Sequence, residues 1–183
     1  MHFLAISGST RALSTNTALL RALAGVAAPD HHVTVFAGLA DLPVFCPDLE
    51  GNEPAPVLAL ARQIAQADGL IISSPEYVHA IPGGLKNAID WLVSRDELIG
   101  KPIALVHASH RGEDVLAQLR LVLATVSDRF TDDPFIAVPL IKRSPDEIAD
   151  LMDRPENRAR LQDYLSRFAA LCAGDPSGAI STR

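Results

Sequence analysis

Short apolar runs alternate along this chain with longer stretches of helical periodicity, and no other feature limits its possible folds as strongly. An apolar run that ends in small or turn-forming residues is typical of a strand, and the stretches between the runs place apolar residues on one helical face. Such an alternation predicts an α/β fold in which helices cover a parallel sheet. The five predicted strands comprise residues 3–6, 32–36, 70–73, 103–106 and 135–138.

Helices are predicted in the intervals between these strands. Four of them would cross from one strand to the next, and they comprise residues 15–27, 57–67, a stretch that begins near Gly83, and 115–126. Ser14 can cap the first of these helices. A capping-box pattern at residues 144–147 predicts a short helix, and a last amphipathic helix is predicted after Pro155.

Segment 38–56 contains several prolines and predicts a long irregular loop. The 183 residues favour a single domain over residues 1–173, with a flexible tail at 174–183.

The formal net charge of −6 repels a polyanion at long range, so nucleic acid is a poor candidate partner. No apolar run is long enough for a membrane span, and the N-terminal run is shorter than the apolar core of a secretion signal. The two cysteines suggest neither a disulfide framework nor a zinc site. We therefore expect a cytoplasmic protein without a membrane partner.

The segment after the first predicted strand has a composition that suits a phosphate group. It contains Ser9, Arg11, Ser14, Thr15 and Asn16 at the start of a helix, where backbone amides attract an anion and a guanidinium offers parallel donors. Neither a Walker loop nor the three-glycine dinucleotide fingerprint is present, so a monophosphate is favoured over ATP or a Rossmann-bound NAD. A simple helix cap with a polar turn stays open as the alternative.

Three ordered motifs in the first half of the chain resemble those of the NADPH-dependent FMN reductase family. Pro-Glu-Tyr at 75–77 precedes Pro-Gly-Gly-Leu-Lys-Asn-Ala-Ile-Asp-Trp at 82–91. The first loop reads Gly-Ser-x-Arg-x-x-Ser-x-Asn at 8–16, and Leu-Pro-Val-Phe at 42–45 with Asp-Leu-Glu at 48–50 is similar to the family's long-loop motif. The second half agrees with the family only in the order of its elements.

This resemblance implies a flavodoxin-like three-layer sandwich with strand order 2-1-3-4-5, and FMN bound where the strand order reverses. By its motifs, the first loop would hold the FMN phosphate through Ser9, Arg11, Ser14, Thr15 and Asn16. The turn after the third strand would line the isoalloxazine, largely through backbone groups. The residues assigned to that ring site are Pro75, Glu76, Tyr77 and Val78, with Ser109 after the fourth strand.

The implied activity is that of an FMN-dependent NAD(P)H oxidoreductase, with NADPH or NADH as co-substrate and a quinone, flavin or azo compound as acceptor. An FMN-binding electron carrier with little turnover is the alternative, and a non-flavin phosphate binder on the same fold is a third. Because hydride transfer needs few acid-base groups, no catalytic side chain is assigned, and Glu76 is more readily a turn residue than a proton donor. His107 and His110 lack a third ligand, so no metal site is predicted.

Three further expectations concern surfaces near this site. Trp91 lies off the apolar stripe of its helix and predicts an exposed contact in a homodimer or homotetramer. The family usually has Asn where this chain has Val78, so we expect an altered nicotinamide and acceptor pocket. Arg111 could meet the NADPH phosphate, although an ion pair with Glu113 or Asp114 is favoured.

Overall fold

A computed structural model describes residues 1–174 of the chain. The strands are β1 (His2–Ser7), β2 (His32–Phe36), β3 (Gly69–Ser73), β4 (Ile103–His107) and β5 (Phe130–Ala137). The helices are α1 (Thr15–Ala27), α2 (Ala55–Gln66), α3 (Gly83–Leu92), α4 (Glu113–Val126), α5 (Pro145–Met152) and α6 (Pro155–Ala173). Short 3-10 turns at Leu39–Asp41, Pro47–Leu49 and Asp96–Leu98 interrupt the longer connections.

The five strands form one parallel sheet in the order β2-β1-β3-β4-β5, which confirms the predicted α/β class and the flavodoxin-like strand order. β3 and β4 are buried along their whole length, because helices cover both faces of the sheet. Successive strand residues therefore point into different layers. Leu105 packs among α2, α3 and α4, whereas Val106 packs against the layer of α1, α5 and α6.

Most element boundaries agree with the sequence prediction to within two residues, and β5 is the exception. The observed strand begins at Phe130, five residues before the predicted start at 135. Two acidic residues and a proline, Asp132, Asp133 and Pro134, break the apolar pattern within it. The pairing with β4 shifts register between Ile103 and Leu105, and this irregularity accommodates the polar stretch at the edge of the sheet.

The predicted caps are confirmed. Ser14 accepts a hydrogen bond from the Thr17 N–H at the start of α1. Ser144 and Glu147 form the reciprocal capping box of α5. The predicted C-terminal tail lies outside the described residues apart from Gly174. Within residues 1–174, none of the helices combines the length and the apolar character that crossing a membrane requires.

The prediction for Trp91 is wrong. Its side chain is only 2% exposed, because the long loop before α2 folds back over α3. The Trp91 indole N–H donates to the Pro43 carbonyl at 2.7 Å, and its ring meets Phe45 edge-on at 5.2 Å. Asn87 fixes the same loop, since its side chain donates to Pro43 and accepts from the Phe45 N–H. α3 therefore buries two faces, and Trp91 gives no sign of a subunit contact.

Candidate cofactor-binding site

β1 and β3 end side by side at the point where the strand order reverses. Ser7 pairs with Ser73, and the Gly8 N–H donates to the Ser73 carbonyl at 2.8 Å. A Cβ on Gly8 would lie 2.5 Å from the Ser74 Oγ and 2.9 Å from a Leu85 methyl carbon. Glycine is therefore required for the two connections to approach this closely. In open parallel sheets such a reversal leaves a crevice for ligands beyond the strand ends.

The β1–α1 loop (residues 8–14) borders a cavity of about 160 Å³ beside the carboxyl ends of β1 and β2. Its lining includes the side chains of Ser9, Thr10 and Arg11 from the loop and of Thr17 and Arg21 from α1. Among residues 1–174, neither arginine has a carboxylate within 4.0 Å. Two guanidinium groups beside several hydroxyls form a set of donors that suits a phosphate group.

A larger cavity of about 540 Å³ lies between α1 and α5. It contains none of the residues that the sequence assigned to the site, although it shares Arg21 with the smaller cavity. The smaller cavity is the relevant one for a phosphate, because it lies at the carboxyl end of β1 beside the start of α1. Its lining comes from the β1 and β2 side and includes no residue of the β3–α3 loop.

Ser14, Thr15 and Asn16 are the other residues assigned to the FMN phosphate, and they are placed differently from Ser9 and Arg11. The Ser14 side chain is buried and caps α1, and the Asn16 side chain is buried and accepts from the Ser73 hydroxyl at 2.9 Å. The Ser14 hydroxyl and the Asn16 side-chain oxygen are therefore engaged within the protein. Thr15 begins α1. The N–H groups of Thr15 and Asn16 precede the first hydrogen bond along this helix, so they remain available to an anion.

The β3–α3 loop (residues 74–82) supplies the second side of the site. Pro75 and Glu76 are partly buried, and Tyr77 is 50% exposed. Tyr77 and Ala80 exchange two backbone hydrogen bonds, at 3.2 and 3.1 Å, and so close a tight turn, the 77–80 turn. Val78 occupies its tip and is 95% exposed.

The first turns of α4 hold this loop. The Glu76 carboxylate accepts from the Val115 N–H at 3.0 Å. Gln118 donates its side-chain N–H to the His79 carbonyl at 2.7 Å and accepts from the Ile81 N–H at 3.2 Å. Glu76 therefore has a structural partner at the N-terminus of a helix, where the helix dipole favours a carboxylate.

His79 joins this contact through its imidazole. Its Nδ1 lies 2.5 Å from Asp114 and 3.8 Å from Glu76, and the hydrogen bond to Asp114 raises the pKa of His79. The ligating atoms of these three residues lie within 4.8 Å of one another. No metal site was predicted from the sequence, and no sequence pattern indicated that these three residues lie close together.

Ser109 lies in the loop after β4, where its hydroxyl accepts from the Arg111 N–H at 2.8 Å and shapes the turn into α4. The favoured interpretation of Arg111 is wrong. Within the described chain, its guanidinium pairs with neither Glu113 nor Asp114, and Asp114 is engaged by His79 instead.

Sequence reasoning missed several residues of this site. The sequence predicted no role for Thr10 or Arg21, although Thr17 and Arg21 are four residues apart on one face of α1. That spacing indicates that the two side chains are neighbours on the helix surface. No sequence pattern indicated the role of Gln118, because its contacts with the β3–α3 loop join residues 37 and 39 positions away.

A family model described as NADPH-dependent FMN reductase matches residues 1–139. The chain belongs to this family. FMN and a reduced nicotinamide are the cofactors that the family description names. The resemblance stated from the sequence motifs is thereby confirmed.

Individual relatives of this FMN reductase family member are reductases. A quinone reductase of Escherichia coli K12 is 44% identical over 109 residues, which make up 57% of this chain and 57% of that protein. The chain thus spans little more than half the length of some curated relatives. A 2-hydroxy-1,4-benzoquinone reductase of a Burkholderia species is 32% identical over 171 residues, or 90% of this chain and 92% of that protein.

Solved structures support the fold. A flavoenzyme NAD(P)H:(acceptor) oxidoreductase from Paracoccus denitrificans superposes with a TM-score of 0.74 over 92% of this chain and 97% of the other. The two sequences are 23% identical, so this match bears on the flavodoxin-like architecture alone.

Proposed function

We propose that this FMN reductase family member is an enzyme that passes electrons from NADPH or NADH, through bound FMN, to a small soluble acceptor such as a quinone. One observation carries the proposal. The two loops that the family motifs single out meet at the reversal of strand order, where Gly8 packs against Ser74.

The β1–α1 loop would hold the FMN phosphate. Arg11, Ser9 and Thr10 would donate to its oxygens, together with the free amides at the start of α1. Arg21 lines the same cavity and adds a second positive charge. Ser14 and Asn16 would contribute indirectly, since the Ser14 side chain caps α1 and the Asn16 side-chain oxygen accepts from the Ser73 hydroxyl.

The β3–α3 loop would line the isoalloxazine. Pro75 restricts the backbone at the end of β3, and Tyr77 offers a half-exposed aromatic wall. Backbone groups of residues 75–78 would meet the polar edge of the ring, with Ser109 on the side of β4. Bound FMN would supply the hydride chemistry, and the chain would orient the ring and limit the access of water.

The visible absorption spectrum of the purified protein, followed by steady-state turnover, tests this proposal. We expect a yellow protein, or an apoprotein that becomes yellow with FMN, and NADPH or NADH oxidation that depends on added quinone. A yellow protein without quinone-dependent turnover would support the electron carrier instead. A protein that stays colourless with FMN would support a non-flavin phosphate binder.

A homodimer or homotetramer stays part of the proposal, although Trp91 no longer supports it. Val44 and Val93 are large apolar side chains with 84% and 62% exposure, and each lies within two residues of the contact between Pro43 and Trp91. Light scattering should give a multiple of the 19.5 kDa chain mass. A measured mass equal to that of the monomer would contradict the proposed homodimer or homotetramer. A cytoplasmic location would give the enzyme its nicotinamide supply.

A further inference from the structure

The 77–80 turn has a backbone conformation that its residues do not favour. Val78 and His79 have φ angles of 52° and 57°, as in the two-residue turns that normally carry Asn and Gly. A β-branched side chain is especially unfavourable in this left-handed region. Because Val78 is almost fully exposed, packing of its side chain does not offset the strain. The contacts that oppose this strain must come from elsewhere.

α4 provides those contacts through two groups of different chemistry. Gln118 binds the backbone on either side of Ala80, at the His79 carbonyl and the Ile81 N–H, and this contact is independent of pH. Asp114 binds the His79 imidazole, and this contact depends on charge. The turn is thus held by one contact that does not depend on pH, from Gln118, and by one that depends on the protonation of His79, from Asp114.

The charge on His79 depends on the carboxylates around it. The Asp114 hydrogen bond raises the pKa of His79, and the nearby charges of Asp114 and Glu76 act in the same direction. Glu113 and Arg111 flank this region, but within residues 1–174 Glu113 forms no ion pair with His79, and Arg111 forms none with Asp114 or Glu76. A pKa that is higher in the folded protein means that the ion pair stabilises the turn in mildly acidic and neutral solution. The contribution is lost as the pH rises through the raised pKa.

We propose that His79 is a positioning residue, whose ion pair with Asp114 holds the strained 77–80 turn against α4 and so sets the shape of the isoalloxazine side of the site. The ring-lining part of this statement rests on the proposed function. The part that concerns how the turn is held against α4 does not rest on the proposed function, and it can be tested without flavin.

Amide hydrogen exchange at pH 7 tests the flavin-free part. The N–H groups of Tyr77 and Ala80 report on the turn, because each donates to the opposite carbonyl. We expect both to exchange about two- to fivefold faster in His79→Gln and Asp114→Asn, a change of the size that an exposed ion pair gives. Asp153→Asn is the matched control, because it removes an exposed carboxylate paired with Arg158 elsewhere. Equal exchange in all four proteins would overturn the proposal.

The pH profile of FMN binding tests the ring-lining part. Titration of the apoprotein with FMN, followed by flavin fluorescence, gives the Kd of the wild type and of His79→Gln. We expect the variant to bind about two- to fivefold more weakly near pH 6.5 and equally at a pH well above the pKa of His79. Ionisations of FMN itself affect both proteins and cancel in the ratio. A ratio that is constant with pH would mean that the imidazole has only a structural role, and it would overturn the proposal.

Relief of the strain provides an independent check. Asn tolerates the left-handed region better than Val does, so Val78→Asn should make the anchor less necessary. His79→Gln should then accelerate amide exchange less in the Val78→Asn background than in the wild type. Equal acceleration in both backgrounds would show that the ion pair does not oppose strain. If the wild type binds no FMN at any pH, the proposed function fails, while the exchange measurements still decide the role of His79.

Discussion

The β1–α1 loop and the β3–α3 loop border the same crevice, but different kinds of contact hold them in place. Apart from the bond that the Gly8 N–H donates to Ser73, the hydrogen bonds of the β1–α1 loop are local: the Ser9 hydroxyl accepts from the Arg11 N–H, and Ser14 caps the helix that follows it. In the β3–α3 loop two local bonds close the 77–80 turn, but the contacts that hold the loop in place are distant, since Glu76 and His79 bind α4 residues that are 39 and 35 positions away. The phosphate side of the site is thus shaped mainly by hydrogen bonds within its own segment, and the ring side by contacts with α4.

This difference determines how each loop should respond to change. A local loop keeps its shape when a distant helix is perturbed, and a substitution within it acts directly on the ligand. A loop held from a distance changes shape when its anchors change, so substitutions on α4 should affect the ring side of the site and leave the phosphate side unaltered.

The junction of the two loops should be the most sensitive position. In Gly8→Val the new side chain would collide with Ser74 and Leu85, so we expect FMN binding to be lost and the free energy of unfolding to fall by roughly 1–3 kcal/mol. Calorimetry and FMN titration measure the two effects. Gly25→Ala on α1 is the control, because nothing lies within 4 Å of its new Cβ, and this variant should be as stable as the wild type or more so. A fully stable Gly8→Val that binds FMN would show that the loops do not meet as described.

Arg11 should matter on the phosphate side alone. Arg11→Ala removes a charge-assisted contact worth at most about 3 kcal/mol, so FMN affinity should fall roughly tenfold to a hundredfold while riboflavin affinity stays the same. Parallel fluorescence titrations with the two flavins measure this. Arg160→Ala on α6 removes the same charge from an exposed position and should change neither affinity. An unchanged FMN affinity in Arg11→Ala would place the phosphate elsewhere.

The same contrast explains what the sequence predicted and what it missed. The strands follow from single apolar runs, the phosphate loop from the residues between Gly8 and Asn16, and the strand order from the resemblance to the family. The burial of Trp91 could not be read in this way, because it depends on Pro43 and Phe45 in a loop more than 40 positions away. The anchoring of His79 by Asp114 was missed for the same reason.

Arg111 gives the smallest of these effects and concerns the ring side. Since its guanidinium has no acidic partner in the described part of the chain, we expect it to meet the additional phosphate of NADPH. Arg111→Ala should lower kcat/KM for NADPH by about two- to fivefold and leave that for NADH unchanged, because an exposed charge contributes little. Steady-state rates with the two nicotinamides measure the difference. Equal losses with both would assign Arg111 to the loop structure instead.

The most direct test of the whole account compares FMN and riboflavin on the wild-type apoprotein. The two ligands share the isoalloxazine and differ in the terminal phosphate, so the ratio of their Kd values isolates the β1–α1 loop from the β3–α3 loop. We expect FMN to bind far more tightly than riboflavin, with an advantage that shrinks as salt screens the charge of the phosphate. Equal affinities at low salt would contradict the phosphate site at the start of α1, and with it the account of how the two loops divide the cofactor between them.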